Sequence, residues 1–483
     1  MAELIPVPAE VSKQSQATRI LEIVQGRDGK IFRSQTGEAF AAFGSRTFQI
    51  KSETFKNFLA NLFYEASDTV AGAHALSDAV NTLCGRALFQ ADQEKIYCRI
   101  AHWEGQIVLD LANDPQLQVL VISKNGCEVT DRSPVNFVRH AGMQPLPPPQ
   151  HGCKLADELK PFINSSPDDF DLVIAFLLST LQPGGAYPIL QISGEQGSSK
   201  TSVAKLIRLL IDPNEAPARG PARSERDVAI SAGRSFVQVF DNLSTMPEWF
   251  SDCLCRMSTG QAFATRALYQ DSEEKVFALH RPVILNGIGE LSTRSDLVDR
   301  SLSIHLPRIE PTKRRTEQEF WTAFEEARPR ILGGLVDVAA KALRDLHTVE
   351  SGAFGRMSDF CRWIIAAESA LGWKPGKFMA LYNKKRMEAE SAVLEESLVA
   401  ELIVQFMHTK RKFWGTATEL RNSLLTHACS VNVGRDPRFP STANALSSAV
   451  ARLAPALRTV GLKIERGRTQ AQRWILIEAC QSG

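Results

Sequence analysis

The stretch QISGEQGSSKTSVAKLIRLL (191–210) decides how this chain folds. An apolar run, YPILQIS, ends in a Gly/Ser-rich turn, after which Val203, Leu206, Ile207 and Leu210 recur at helical spacing. Strand, tight turn and helix are therefore expected in that order. The turn fits the phosphate-loop pattern G-x-x-x-x-G-K-[ST] at Gly194, Lys200 and Thr201, but Ser199 stands where the second glycine belongs. In such a loop the backbone from Gly194 through Glu195, Gln196, Gly197, Ser198 and Ser199 to Lys200, Thr201 and Ser202 wraps the phosphates of ATP. Lys200 neutralises the terminal phosphates and the Thr201 hydroxyl ligates Mg²⁺. The positive end of the following helix adds to the attraction. Ser199 keeps the N–H that a phosphate uses, and its side chain fits if the residue already has helical dihedrals. The competing reading is an ordinary Gly/Ser turn into a helix.

Two further apolar strands end in residues that suit the same chemistry. SFVQVFDN (235–242) closes on Asp241, placed to hold Mg²⁺ through water. Its neighbour Asn242 stands where a glutamate commonly orients the attacking water. An amide can hydrogen-bond that water but cannot take its proton. Hydrolysis is then slow, or another acid such as Glu248 or Glu195 assists. RPVILNG (281–287) ends in Asn286, whose amide can sense a terminal phosphate. In TRSDLVDRSLSIHLP (293–307), Arg294 and Arg300 lie on a short helix before an alternating strand. That arrangement presents a guanidinium to a neighbouring subunit's ATP, where its fork matches developing phosphoryl charge. The alternative is an ion pair with Asp296 or Asp299.

Residues 187–307 resemble the AAA+ motor of superfamily 3 helicases, especially the helicase part of phage- and plasmid-type primase-helicases. The matching run is STGQAFATRALYQDSEEKVFALHRPVILNG (258–287). The resemblance implies a hairpin that projects into a ring's pore and touches single-stranded DNA, with Arg266 and the turn around 270–275, including Lys275, on the pore side. It implies a homo-oligomer, most naturally a hexamer, acting in replication of a phage or mobile element. Arg294 and Arg300 are also similar, more loosely, to their counterparts in bacterial enhancer-binding activators. Ser199 and Asn242 depart from the family pattern, and Asn242 is the departure that bears on turnover. Arg356, in RMSDFCRWIIAAE, is read either as a lid arginine reaching back to ATP or as a helix-start ion pair.

Composition sets the frame around this core. The chain has 483 residues, 44% hydrophobic and 23% charged, as expected of several globular domains. Its longest apolar run, DLVIAFLLSTL (171–181), is too short to span a bilayer, and no secretory signal is visible at the N-terminus. A cytoplasmic protein without a membrane role follows. Nine cysteines without CxxC or zinc-ladder spacing read as reduced thiols. Domain boundaries are expected at a Pro-rich linker (142–152), an ATPase core (153–310), a helical lid (311–396) and a basic tail domain (397–483). The N-terminal part (1–141) reads as α+β, with helices at 52–66 and 74–89 and successive strands in KIYCRIAHW, QIVLDLA and LQVLVIS. Asp110 and Asp114 there read as a solvated turn pair, and no catalytic acid cluster supports primase chemistry.

Net charge is only +2, yet residues 397–483 carry twelve Lys and Arg against five Asp and Glu. Three helices, including 413–426 and 441–460, followed by a strand pair with Lys463, Arg466, Arg468 and Arg473 at and near its turn, look like a winged helix. Such a domain can place a helix in the major groove of duplex or forked DNA while basic side chains neutralise phosphates. A protein-binding winged helix is the alternative. The fold expected overall is α/β: an AAA+ P-loop core with helical lid, an α+β N-terminal domain and a C-terminal winged helix. The function expected is an ATP-driven DNA helicase or translocase. Its rivals are an ATP-gated DNA-binding switch and a defence or regulatory ATPase.

Overall fold

The alternation of apolar strands and amphipathic helices after residue 153 folds as the sequence pattern predicts. A computed structural model describes residues 14–266, 274–287, 295–350, 352, 354–428, 433–469 and 472–479. They divide into two units, one of residues 1–123, 127–148 and 264–277, the other of 124–126, 149–263 and 278–483.

In the second unit, helix α1 (Pro167–Ser179) precedes β1 (Ile189–Gly194), α2 (Lys200–Ile211) and α3 (Glu225–Arg234). Then come β2 (Gln238–Leu243), α4 (Glu248–Thr259), β3 (Val283–Gly287), the single-turn α5 (Ser295–Val298) and β4 (Ser301–Leu306). The four strands form a parallel sheet in the order β2-β3-β1-β4, with Ile189 paired to both Val283 and Ser301. Parallel strands joined through helices are covered on both faces, so β1 and β3 are almost wholly buried. The run that was too short for a membrane is α1, whose residues 169–179 are all buried. Among the described residues no helix is long and apolar enough to cross a membrane.

The strand expected in SFVQVFDN (235–242) starts only at Gln238 and runs to Leu243. Asp212 causes the shift: its carboxylate accepts the N–H groups of Phe236 (2.8 Å) and Val237 (3.1 Å), taking both out of the sheet ladder. Beyond β4, α6 (Glu317–Asp345) opens on a Thr316–Glu319 capping box, and α7 (Ser358–Ala367) and α8 (Lys377–Glu396) complete a helical layer. The Pro-rich stretch has no regular element, but its end is fixed. Gln150 donates to the Pro329 carbonyl (2.8 Å) and Gly152 to Asp337 (2.9 Å), while Gly333 and Gly334 leave α6 without side chains where residues 150–155 cross it.

The tail comprises α9 (Leu398–Lys410), β5 (Lys412–Gly415), α10 (Ala417–His427), α11 (Ala443–Thr459), β6 (Leu462–Arg468) and β7 (Arg473–Ala479). The expectation of a helix from residue 413 is corrected at its start. Phe413 and Trp414 pair in β5 with Ile477 and Leu476 of β7, and the helix begins only after Thr416 caps it. β-prone aromatics prefer the pleated surface to a helix start. A three-stranded antiparallel sheet, β5-β7-β6, results.

The first unit contains the expected helices at Glu53–Ser67 and Ala73–Phe89 and an antiparallel sheet through Ile100–Trp103, Gln106–Asp110 and Val119–Ser123. The reading of Asp110 as solvated is wrong. Its side chain is fully buried and receives two bonds from Arg139, at 2.7 and 2.9 Å, because burial demands a partner for the charge. Asp114 is exposed and pairs with Arg46. None of the seven cysteines among the described residues is in a disulfide.

Candidate functional site

The phosphate-type loop joins β1 to α2 at the C-terminal edge of the parallel sheet, where ligands of such sheets bind. Gly194 has φ +149°, and a Cβ there would strike the Leu306 carbonyl of β4. Gly197 has φ +81°. Ser199 does not have the helical dihedrals the sequence reading required. It sits at φ +63°, ψ +27°, in the left-handed region, with no side-chain cap bond. The loop therefore keeps the backbone shape that glycine normally supplies, at the expense of strain in a serine.

Lys200 curls back over the loop, its Nζ donating to the carbonyls of Gly194 (2.7 Å) and Glu195 (2.8 Å). Ser198 is buried and donates to the Glu195 carbonyl (2.9 Å). Glu195 and Gln196 are exposed, and Ser202 lies in the first turn of α2.

Two strands and the first turn of α2 converge beside this loop. Thr201 Oγ1 donates to Asp241 Oδ1 at 3.1 Å, and Asn286 Nδ2 donates to both Thr201 Oγ1 (3.2 Å) and Asp241 Oδ1. This works because β3, carrying Asn286, lies between β1 and β2. Asn286 is 2% exposed, and its Oδ1 has no hydrogen-bond partner among the described residues. A buried, unpaired amide oxygen is costly unless something else donates to it.

Asn242 is exposed and adopts φ +59°, at an irregularity in the β2–β3 pairing. Asparagine tolerates this region better than glutamate, so the local backbone disfavours the glutamate of the usual pattern. Its N–H donates to Asp241 Oδ1 (2.9 Å). Glu248, offered as a substitute acid, is exposed and pairs with Arg452 of α11 at 3.0 Å.

Arg300 lies in the turn after α5, not on the helix as expected, and is held back onto it: Nη1 donates to the Asp296 carbonyl (2.7 Å) and lies 3.7 Å from the Asp296 carboxylate. Arg356 takes the ion-pair role, 2.6 Å from Asp296, which with Asp299 holds its charge firmly and raises its pKa. Arg294 lies outside the described residues. Strands Ala262–Arg266 and Glu274–Ala278 pair as a two-stranded sheet, which places Arg266 and Lys275 on facing strands; the turn at 267–273 lies outside the described residues. Just after this hairpin, His280 packs against Tyr187 with its ring tilted 34° (4.2 Å between centroids), and its Nε2 lies 3.0 Å from the Ser258 carbonyl. Burial pushes the His280 imidazole down to about 4 and the Tyr187 phenol up to about 12.

In the tail, Arg468 and Arg473 are direct cross-strand partners and both are exposed. Lys463 pairs with Glu465 (2.7 Å), and Arg466 bonds Ser447 of α11 (3.0 Å). The longest helix of the tail, α11, packs against α8 and α5 as well as against α9, α10 and β6. Asn444, Ser448 and Arg452 form the exposed stripe of its first three turns.

Sequence reading missed the connector after β4. Ile309 donates to the Gly197 carbonyl (3.4 Å), and the Arg314 guanidinium lies beside Gly197. PRIEPTKRR (307–315) looks like a solvated basic turn, and no periodicity in it signals a return to the loop.

Residues 157–380 match the family model described as "Actinomycete integrative conjugative element replication protein", and residues 399–482 match that described as "AICE RepA C-terminal domain". No curated protein matches the chain. Among solved structures, "The A form apo structure of NrS-1 C terminal region-CTR" is similar at 9% identity and a TM-score of 0.41, covering 97% of this chain and 100% of that one. "The apo structure of NrS-1 C terminal region (305-718)" is similar at 10% identity and a TM-score of 0.40, with the same coverage. Likeness at this level carries no argument about activity.

Proposed function

We propose that this replication-related protein of a mobile element, matched in two segments to the AICE RepA models, is an ATP-driven DNA motor with an AAA+ core and a winged-helix tail. The observation that carries the proposal is the meeting of Thr201, Asp241 and Asn286 within hydrogen-bond reach, beside a left-handed Gly/Ser loop and a lysine folded over it. A hydroxyl and a carboxylate oxygen 3.1 Å apart suit a hard cation. Thr201 and Asp241 would hold Mg²⁺, which would supply positive charge against the negative charge that develops in phosphoryl transfer.

Lys200 would exchange the Gly194 and Glu195 carbonyls for phosphate oxygens, a gain because a charge-assisted bond to an anion is stronger than one to an amide. The loop N–H groups from Gly194 to Ser202 would cradle the phosphates, and the start of α2 would add its dipole. Asn286 would report the terminal phosphate, its orphaned oxygen accepting from the attacking water. Asn242 would hold that water without removing its proton, so turnover is slow. Arg300, released from Asp296 at a subunit boundary, would complete a neighbour's site, and activity would therefore need a ring, by resemblance a hexamer. Arg266 and Lys275 would meet single-stranded DNA in its pore. Arg466, Arg468 and Arg473, with Lys463, would contact duplex or forked DNA, and such a protein acts in the cytoplasm.

Phosphate release with and without single-stranded DNA, together with strand displacement on a forked duplex, tests the reading. Unwinding that is lost in Lys200→Ala supports the motor. Asn242 favours a second reading, an ATP-gated DNA-binding switch; tight ATP binding without turnover would select it.

A further inference from the structure

We infer that Arg314 is a phosphate-contacting residue of the same subunit's nucleotide site, reaching the loop from the connector between β4 and α6. The inference rests on the ATP reading of the Gly194–Thr201 loop and extends it. β4 ends at Leu306, in register with Gly194, and the chain then doubles back across the loop. Ile309 donates to the Gly197 carbonyl at 3.4 Å, and Arg314 Nε donates to the Ile309 carbonyl at 3.4 Å, so the connector and the loop are tied at one point. A Cβ on Gly197 would lie 3.2 Å from Arg314 Nη2. Gly197 thus leaves open the space that the guanidinium occupies.

The charge there is available. Arg314 is exposed, and among the described residues its Nη1 and Nη2 have no protein acceptor. Its neighbour Lys313 is committed to Glu310 at 3.0 Å. An unpaired guanidinium beside an anion-binding loop offers two parallel donors in a fork that matches a phosphate, which the ammonium of Lys200 cannot do. Both ends of the connector are fixed, by the β4 ladder and by the Thr316 capping box of α6, so the fork is held near the loop. Unlike Arg300, it needs no second subunit. Ordering Arg314 on a phosphate would also bear on the Thr316 cap of α6, two residues on.

The test is equilibrium binding of Mg-ATP, inorganic tripolyphosphate and AMP to the full chain, compared among wild type, Lys200→Ala, Arg314→Ala, Arg314→Lys and Lys313→Ala. The expected result is roughly 10-fold weaker binding of both ATP and tripolyphosphate in Arg314→Ala, since a bond between charged groups is worth about a decade or more. Arg314→Lys recovers part of the loss, AMP binding is unmoved, and Lys313→Ala matches wild type. Wild-type affinity for ATP in Arg314→Ala overturns the inference. So does loss of ATP with tripolyphosphate retained, which would put the guanidinium on the base. Failure of wild type to bind ATP, with Lys200→Ala no different, overturns the underlying nucleotide reading as well, and is thereby told apart from failure of the arginine alone.

Discussion

Replacing Ser199 with glycine should make the protein more stable. At φ +63° the serine side chain crowds the following carbonyl, which costs about 1–2 kcal/mol for an L-residue. Glycine removes that cost but adds backbone freedom to the unfolded chain, worth about 0.5–1 kcal/mol in the other direction. The Ser199 hydroxyl makes no cap bond, so its deletion forfeits nothing else. The net gain is about 0.5–1 kcal/mol, which in a unit of this size raises Tm by about 1–3 °C. Valine, β-branched and poorly accommodated at positive φ, should lose roughly 1–2 kcal/mol. Urea denaturation of Ser199→Gly, wild type and Ser199→Val should rank them in that order. ATP affinity in the glycine variant should match wild type, because the N–H is retained. A glycine variant that melts below wild type would show that the left-handed backbone is not what the serine is resisting, and the reasoning would fail.

Three other outcomes are expected. His280 is held neutral in the fold with its pKa near 4, against about 6.5 unfolded, so the native state binds fewer protons between those values and stability falls as pH drops through that window. The His280 share of that loss is roughly 2 kcal/mol between pH 7 and pH 5; His280→Gln should show a correspondingly flatter pH dependence in denaturation, and an unchanged slope would refute the assignment. Asn242→Asp should raise phosphate release on the order of 10-fold or more at little structural expense, since aspartate also tolerates positive φ, whereas Asn242→Glu should cost about 1 kcal/mol of stability. Equal turnover in all three would remove Asn242 as the slow element. Arg468→Ala with Arg473→Ala should lower the slope of log K against log salt for duplex DNA by about 2, measured by anisotropy, and an unaltered slope would take the hairpin off the phosphates.

What the sequence revealed and what it hid follow from the range of the forces involved. The strand, loop and helix around 187–210 were legible because glycine punctuation and 3.6-residue spacing are local signals. Asp241 and Asn286 were legible as strand ends, and only the strand order brings them together. The left-handed Ser199 was hidden because its dihedrals are imposed by the closure of the loop against Leu306 and the connector, not by its own preference. The shift of β2 depended on Asp212, some two dozen residues away. Phe413 and Trp414 form a strand only because β7 returns to pair with them. The burial of Asp110 required Arg139, and the approach of Arg314 required a chain reversal that basic composition disguises.

The seating of α11 bears on how much information the tail can extract from DNA. This helix packs on α8 and α5 and, within the tail, on α9, α10 and β6, and Arg452 of its exposed stripe is already engaged by Glu248. On the stripe of its first three turns Asn444 and Ser448 are then the polar side chains left to inspect base edges, Arg458 is exposed only at its last turn, and Arg468 and Arg473 of the hairpin are exposed. Phosphate contacts carry no sequence message, and two short polar side chains can discriminate few bases. On the proposed DNA-binding reading, the tail would grip more than it reads. Choice of a replication origin would have to come from DNA shape, from a partner, or from a state in which α11 has left its seat.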